Sequence, residues 1–127
     1  FGEYCASSDN QIRMITRDES FNRLVRSHKE LLKNQEKKGV DIQIISSGNK
    51  NNDLVIREAQ EWADVRKYSG IQARIYVFDS QRVLISWNNS NEDQFVAVAT
   101  QSPQLQETFD LMFKLIWQSS SQMEVHN

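Results

Sequence analysis

Gln72-Ala73-Arg74-Ile75-Tyr76-Val77-Phe78-Asp79, followed by Val83-Leu84-Ile85-Ser86-Trp87-Asn88, decides how the rest of this chain is read. Ile71, Ala73, Ile75 and Val77 alternate with Gln72, Arg74, Tyr76 and Phe78, and a repeat of two places those sets on opposite faces of a strand. Gln72 and Arg74 therefore share a face. The turn Asp79-Ser80-Gln81-Arg82 reverses the chain, and in the second strand Val83, Ile85 and Trp87 alternate with Leu84, Ser86 and Asn88. Two polar pairs, Gln72 with Arg74 and Ser86 with Asn88, lie on neighbouring strands of one hairpin.

At these residues the sequence resembles the phospholipase D superfamily. That family's motif is His, any residue, Lys, four residues, Asp, then a Gly-Ser-any-Asn strand. Gln72 stands in the place of the His, Arg74 in that of the Lys, Asp79 matches, Ser86 and Asn88 match, and Ile85 replaces the Gly. The resemblance spans about one half of a two-motif phospholipase D and most of this chain. It implies a non-catalytic relative, because the amide nitrogen of Gln72 is unable to form the phosphoenzyme intermediate that an imidazole forms. An ordinary amphipathic hairpin is the alternative.

At 127 residues the chain fits one domain with a single core. Charged residues make up 25% of it and the net charge is -2, so no global field draws in nucleic acid or an anionic membrane. Direct nucleic-acid contact and membrane binding by this domain are not expected. A single cysteine, Cys5, excludes an internal disulfide, and no window is apolar for long enough to span a bilayer, which suits a cytoplasmic protein. The chain starts at Phe1 and reads as a fragment of a longer protein whose output module lies elsewhere.

Residues 1–11 read as a linker or the end of a preceding element. Ile12–Thr16 is a strand buried on two faces. From Asp18 an apolar stripe at Phe21, Leu24, Val25, His28, Leu31 and Leu32 predicts a helix capped by Asp18 or Ser20 and ended by Gly39. His28 on that stripe reads as a core histidine. Val40–Ile45 is a second strand, parallel to the first because a long helix joins them. The loop Ser46–Asp53 follows at the carboxyl end of that strand, where open α/β sheets bind ligands, so Ser46 and Ser47 join the candidate site.

Leu54–Ala63 predicts a short helix, Asp64–Tyr68 a strand and Gln94–Thr100 the last strand. Ser102-Pro103 starts a final helix whose apolar face holds Leu105, Phe109, Met112, Phe113, Ile116 and Trp117. Phe113 and Trp117, near its end, are candidates for contact with a second copy or a neighbouring domain. Residues 119–127 read as a polar tail.

The resulting fold class is α/β, a mixed β-sheet flanked by helices in the order β-α-β-α-β-β-β-β-α, with residues 12–118 as one phospholipase D-like domain. Such an order looks like that of sensor and effector domains in archaeal-type signalling proteins and TrmB-type transcriptional regulators. The resemblance implies a non-catalytic sensory or regulatory domain, working by ligand binding, dimerisation or both. The site would comprise Gln72, Arg74, Ser86, Asn88, Ser46 and Ser47, with Asp79 as its structural support and a small anionic or sugar molecule as ligand. Arg74 offers a bidentate fork to such a ligand. The alternatives are a purely structural dimerisation or protein-contact domain and a phospholipid-headgroup module.

Nothing in the residues themselves suggests an enzyme. The two histidines, in a helix and in the tail, assemble no Ser-His-Asp or Cys-His set, and no spacing of Cys, His and carboxylates suits a metal or calls for a cofactor. Carboxylate pairs such as Asp18-Glu19 and Glu92-Asp93 fall in caps and loops, where solvation explains them.

Overall fold

Ile12, Met14 and Ile15 point to opposite sides of one strand, yet all three are buried, so both faces of that strand are covered. A computed structural model of the chain shows what covers them. It describes residues 2–46, 53–68, 73–79, 82–88, 95–100 and 102–122. The elements are α1 (Gly2–Ala6), β1 (Gln11–Thr16), α2 (Asp18–Lys37), β2 (Asp41–Ser46), α3 (Asp53–Gln60), β3 (Asp64–Lys67), β4 (Arg74–Phe78), β5 (Arg82–Asn88), β6 (Phe95–Thr100), α4 (Pro103–Ser119) and β7 (Ser121–Gln122). The strands form one seven-stranded mixed sheet in the order β6-β5-β4-β1-β2-β3-β7.

The parallel pairing expected of the first two strands is present, Ile12 opposite Ile42 and Thr16 opposite Ser46. β3 continues the parallel set, while β4 runs antiparallel to β1 with Ile15 opposite Ile75. The organising hairpin is antiparallel and lies between β6 and β1, with Arg74 opposite Ser86 and Val77 opposite Val83.

One core lies between the sheet and α1, α2 and α3: Ile12, Met14, Ile42, Ile44, Val65, Tyr76 and Phe78 meet Cys5, Phe21, Val25, Leu32, Ile56 and Ala59. The other lies beneath α4, where Ile15, Ile45, Ile75, Val77 and Val83 meet Phe113, with Phe109, Met112, Ile116 and Trp117 packed around it. Each fully buried Ile, Leu or Phe contributes about 1.5–3 kcal/mol of burial free energy.

Gly39 ends α2 as expected, with φ of 97° and its amide donating to the Glu36 carbonyl at 2.9 Å. At the other end the expectation is corrected: Arg17, in extended conformation, occupies the N-cap position and makes no side-chain capping bond, because β1 runs directly into the helix. Residues 2–11, read from sequence as a linker or the end of a preceding element, hold the short helix α1, whose Cys5 is 0% exposed. Gln35, itself 3% exposed, donates from Nε2 to the carbonyls of Cys5 at 2.6 Å, Ala6 at 3.2 Å and Ser8 at 2.9 Å, which satisfies the end of that short helix. In the presumed tail, Ser121 and Gln122 add a strand beside β3. No helix among the described residues is long and apolar enough to cross a membrane.

Candidate functional site

The parallel strands β1, β2 and β3 end together, and the antiparallel β4 begins beside them. Register therefore sets one row of residues along the carboxyl edge of the sheet. Lys67 is opposite Ser46, and Ser46 is opposite Thr16. One step beyond the Ile15–Ile75 pair brings Thr16 level with Arg74, and Arg74 is opposite Ser86. By the period of two these residues share the face that carries Ile44, Tyr76 and Leu84, the side covered by α1, α2 and α3.

Arg74 is 6% exposed, and its Nη2 donates to Ser86 Oγ at 3.0 Å. Thr16 and Ser46 are buried as well. The Tyr76 hydroxyl, one strand repeat further in, is hydrogen-bonded to the Thr16 side chain; burial pushes its pKa up, while that bond and the positive charges of Arg74 and Arg23 pull the other way. Arg74 is itself shifted down, first by burial and then by Arg23 and Arg17, with Tyr76 opposing. The charges that reach Arg74 come from Arg23, in α2, and from Arg17, the residue that precedes that helix. Such an edge offers directional donors and positive potential, the chemistry that holds an anion or a polyhydroxylated molecule.

Of the residues expected at the site, Arg74, Ser86 and Ser46 come together along this row. Gln72 and Ser47 lie outside the described residues, and for Asn88 the structure describes the backbone, in β5 opposite Phe95. Asp79 is corrected: it sits at the far end of β4, about 16 Å from Arg74 at 3.3 Å per residue, too far to support that site directly. Its carboxylate instead accepts the backbone amides of Asp9 at 2.9 Å, Asn10 at 2.8 Å and Gln11 at 2.9 Å. Arg82 works beside it, its guanidinium 5.0 Å from the Tyr4 ring centroid and donating to Ser7 Oγ. The pair fastens α1 to the hairpin.

Phe113 is corrected too, because at 2% exposure it is core and has no surface to give a partner. Trp117 is half-buried, stacked on Phe113 with ring centroids 5.8 Å apart and covered by Arg66 at 4.3 Å, whose Nη1 also donates to the Trp117 carbonyl at 3.0 Å. Thr16, on the same row, and Tyr76, bonded to it, are neighbours of Arg74 that the sequence reading does not name. The signal was the end of β1, which meets the same carboxyl-edge rule as the end of β2. Among the described residues no group of His, Cys, Asp and Glu is placed to hold a metal ion.

Residues 6–124 match the family described as transcriptional regulator TrmB, EBD N-terminal subdomain. No curated protein matches the chain. Among solved structures, TrmBL2, described as an archaeal chromatin protein with a novel mode of DNA binding, is similar in fold with a TM-score of 0.72 at 12% identity. The likeness covers 96% of this chain and 48% of that one, so the chain spans about half the length of its structural relative.

Proposed function

The chain belongs to the TrmB family of transcriptional regulators as an EBD N-terminal subdomain, and from that premise we propose that it senses a small ligand at the carboxyl edge of its sheet without transforming it. The observation that carries this reading is Arg74, almost fully buried yet held by Ser86 within a polar row. Ser86 holds one end of its planar fork, and a guanidinium so oriented suits a ligand that presents oxygen atoms in its plane. Gln72, Asn88 and Ser47 are proposed to complete the site from the adjoining segments, with residues 12–118 as the phospholipase D-like unit. In that ancestry Gln72 replaces the nucleophile, so the scaffold binds where a hydrolase would react.

Binding would alter regulation by favouring one of two arrangements of the larger protein, which requires unequal affinity for the two. DNA contact is assigned to other parts of the regulator, in keeping with the net charge of -2. A thermal-shift screen of phosphorylated metabolites, carboxylates and neutral sugars tests the proposal. Saturable stabilisation by at least one compound is expected, with loss of that effect in Arg74→Ala and a melting temperature for the unliganded variant within a few degrees of wild type. No stabilisation by any compound, or an Arg74→Ala variant that responds as wild type does, would refute it.

A second reading rests on a different surface. Leu111 and Leu115 of α4 are 58% and 56% exposed, one turn apart and turned away from the sheet. They suit a protein contact, the dimerisation role set out as the alternative. Sedimentation of wild type and Leu111→Gln/Leu115→Gln checks it, and equal monomer mass for both would dismiss it.

A further inference from the structure

Helix α4 is apolar over more than the face it lays on the sheet. Gln106 and Phe113 are buried against the strands, whereas Leu105, Thr108, Met112, Leu115 and Ser119 follow one another at steps of three and four along one flank. Leu105 is 46% and Leu115 56% exposed, Thr108 and Ser119 are exposed, and Met112 is half-buried between the flank and the core that Phe109 and Ile116 adjoin. The flank carries no charge. The ionisable residues of α4, Glu107, Asp110 and Lys114, fall on the other side of the helix, where Lys114 Nζ meets Asp110 Oδ2 at 3.1 Å. Thr108 gives its hydroxyl to the Gln104 carbonyl at 2.9 Å, which leaves its methyl group for packing.

We propose that this flank pairs with the same flank of a second copy of the chain, the two α4 helices running antiparallel about a twofold axis at Met112. The proposal rests on the dimerisation reading above and gives it a geometry. Steps of three and four make the seam of helices that cross at about 20°. About Met112 that seam is its own complement. Leu105 of one copy faces Ser119 of the other, Thr108 faces the Leu115 and Ile116 pair, and Met112 faces itself. A large side chain thus meets a small one in each outer layer, and the unbranched, adaptable methionine fills the centre. Two copies bring no like charges together on this seam, and a charged partner would find no opposite charge on it. Leu111 lies at its rim.

The test uses the 127-residue chain, whose own Cys5 is 0% exposed and does not compete for oxidation. Leu105→Cys and Ser119→Cys, both at exposed positions, are made separately and mixed under mild oxidation. The mixture is expected to give a covalent dimer with one of each, identified by mass, and neither variant to link to itself, because in the antiparallel pair Leu105 stands about 21 Å along the helices from its counterpart at ~1.5 Å per residue. Met112→Cys is expected to link to itself. In sedimentation the wild type is expected at the dimer mass and Leu105→Asp at the monomer mass, since a carboxylate is set against the seam twice. Self-linking of Leu105→Cys would make the helices parallel and overturn the geometry. A dimer that survives Leu105→Asp and forms none of these links joins through another surface, so the seam falls while dimerisation stands. A monomeric wild type at every concentration overturns both and gives the flank to a partner other than this chain.

Discussion

Replacing Asp79 with alanine removes three hydrogen bonds at once, those from the amides of Asp9, Asn10 and Gln11 at 2.8–2.9 Å. A bond to a charged acceptor contributes about 1.5–3 kcal/mol when shielded and less in water; counting about 1.5 kcal/mol for the part-buried Gln11 amide and about 0.5 kcal/mol for each exposed one gives ~2.5 kcal/mol. Asp79 also has φ of 57°, where alanine adds about 1 kcal/mol of strain and asparagine much less. The sum is about 3.5 kcal/mol. For a domain of this size that lowers the melting temperature by roughly 10–20 °C, whereas Asp79→Asn, which keeps the backbone angle and one acceptor oxygen, costs about half as much.

The pH dependence gives a second readout of the same residue. Burial pushes the Asp79 carboxyl up, but the amides of Gln11, Asp9 and Asn10 together with Arg82 outweigh it and leave the pKa below the ordinary 3.8. A folded pKa lower than the unfolded one stabilises the protein above the unfolded value and loses that contribution as pH falls through the folded one. Calorimetry is therefore expected to show the full gap between wild type and Asp79→Asn above about pH 5, closing at pH values below 3.8. An Asp79→Ala protein melting within about 3 °C of wild type, or a gap that does not change with pH, would refute the role of this carboxylate.

Gln35→Leu removes a donor from the carbonyls of Cys5, Ala6 and Ser8, that of Cys5 keeping the Ser8 amide, and is expected to cost about 2–3 kcal/mol, with faster amide exchange through α1 while α4 stays protected. Burial pushes the Cys5 thiol up to about 11, so it should react with a thiol reagent at pH 8 at the rate of unfolding; rapid labelling of native protein would contradict its place in the core. A double-mutant cycle on Arg66→Ala and Trp117→Ala is expected to give a coupling energy of about 1 kcal/mol from the ring contact alone, since the carbonyl at 117 survives the substitution, and additive effects would show that the ring contact carries no energy.

The strands and the three longer helices were readable because each carries a repeat over several residues: the stripe from Phe21 to Leu32, the alternation around Ile75, the Ser102-Pro103 start of α4. α1, with five residues, and β7, with two, are too short to show a period. What holds them is non-local: Gln35 and Asp79 reach α1 or the turn after it across 27 residues or more, and β3 supplies the partner for β7. The same distinction runs through the site. Arg74 and Ser86 belong to one hairpin, and local alternation puts them on one face. Bringing Thr16 to them requires β1 to lie antiparallel beside β4, which no neighbouring residue announces. Asp79 was grouped with Arg74 through the spacing of the motif, but an extended strand carries residues five apart to opposite edges of the sheet.

The sensing reading is tested most directly by mapping backbone amide shifts as the best stabilising compound of the thermal screen is titrated in. Thr16, Arg17, Ser46, Arg74 and Ser86 are expected to move together and saturate at one concentration, while the Asp79 end of β4 and its α1 contacts stay still. Shifts confined to the outward face of α4, or spread weakly over the surface without saturation, would contradict a ligand site at the carboxyl edge.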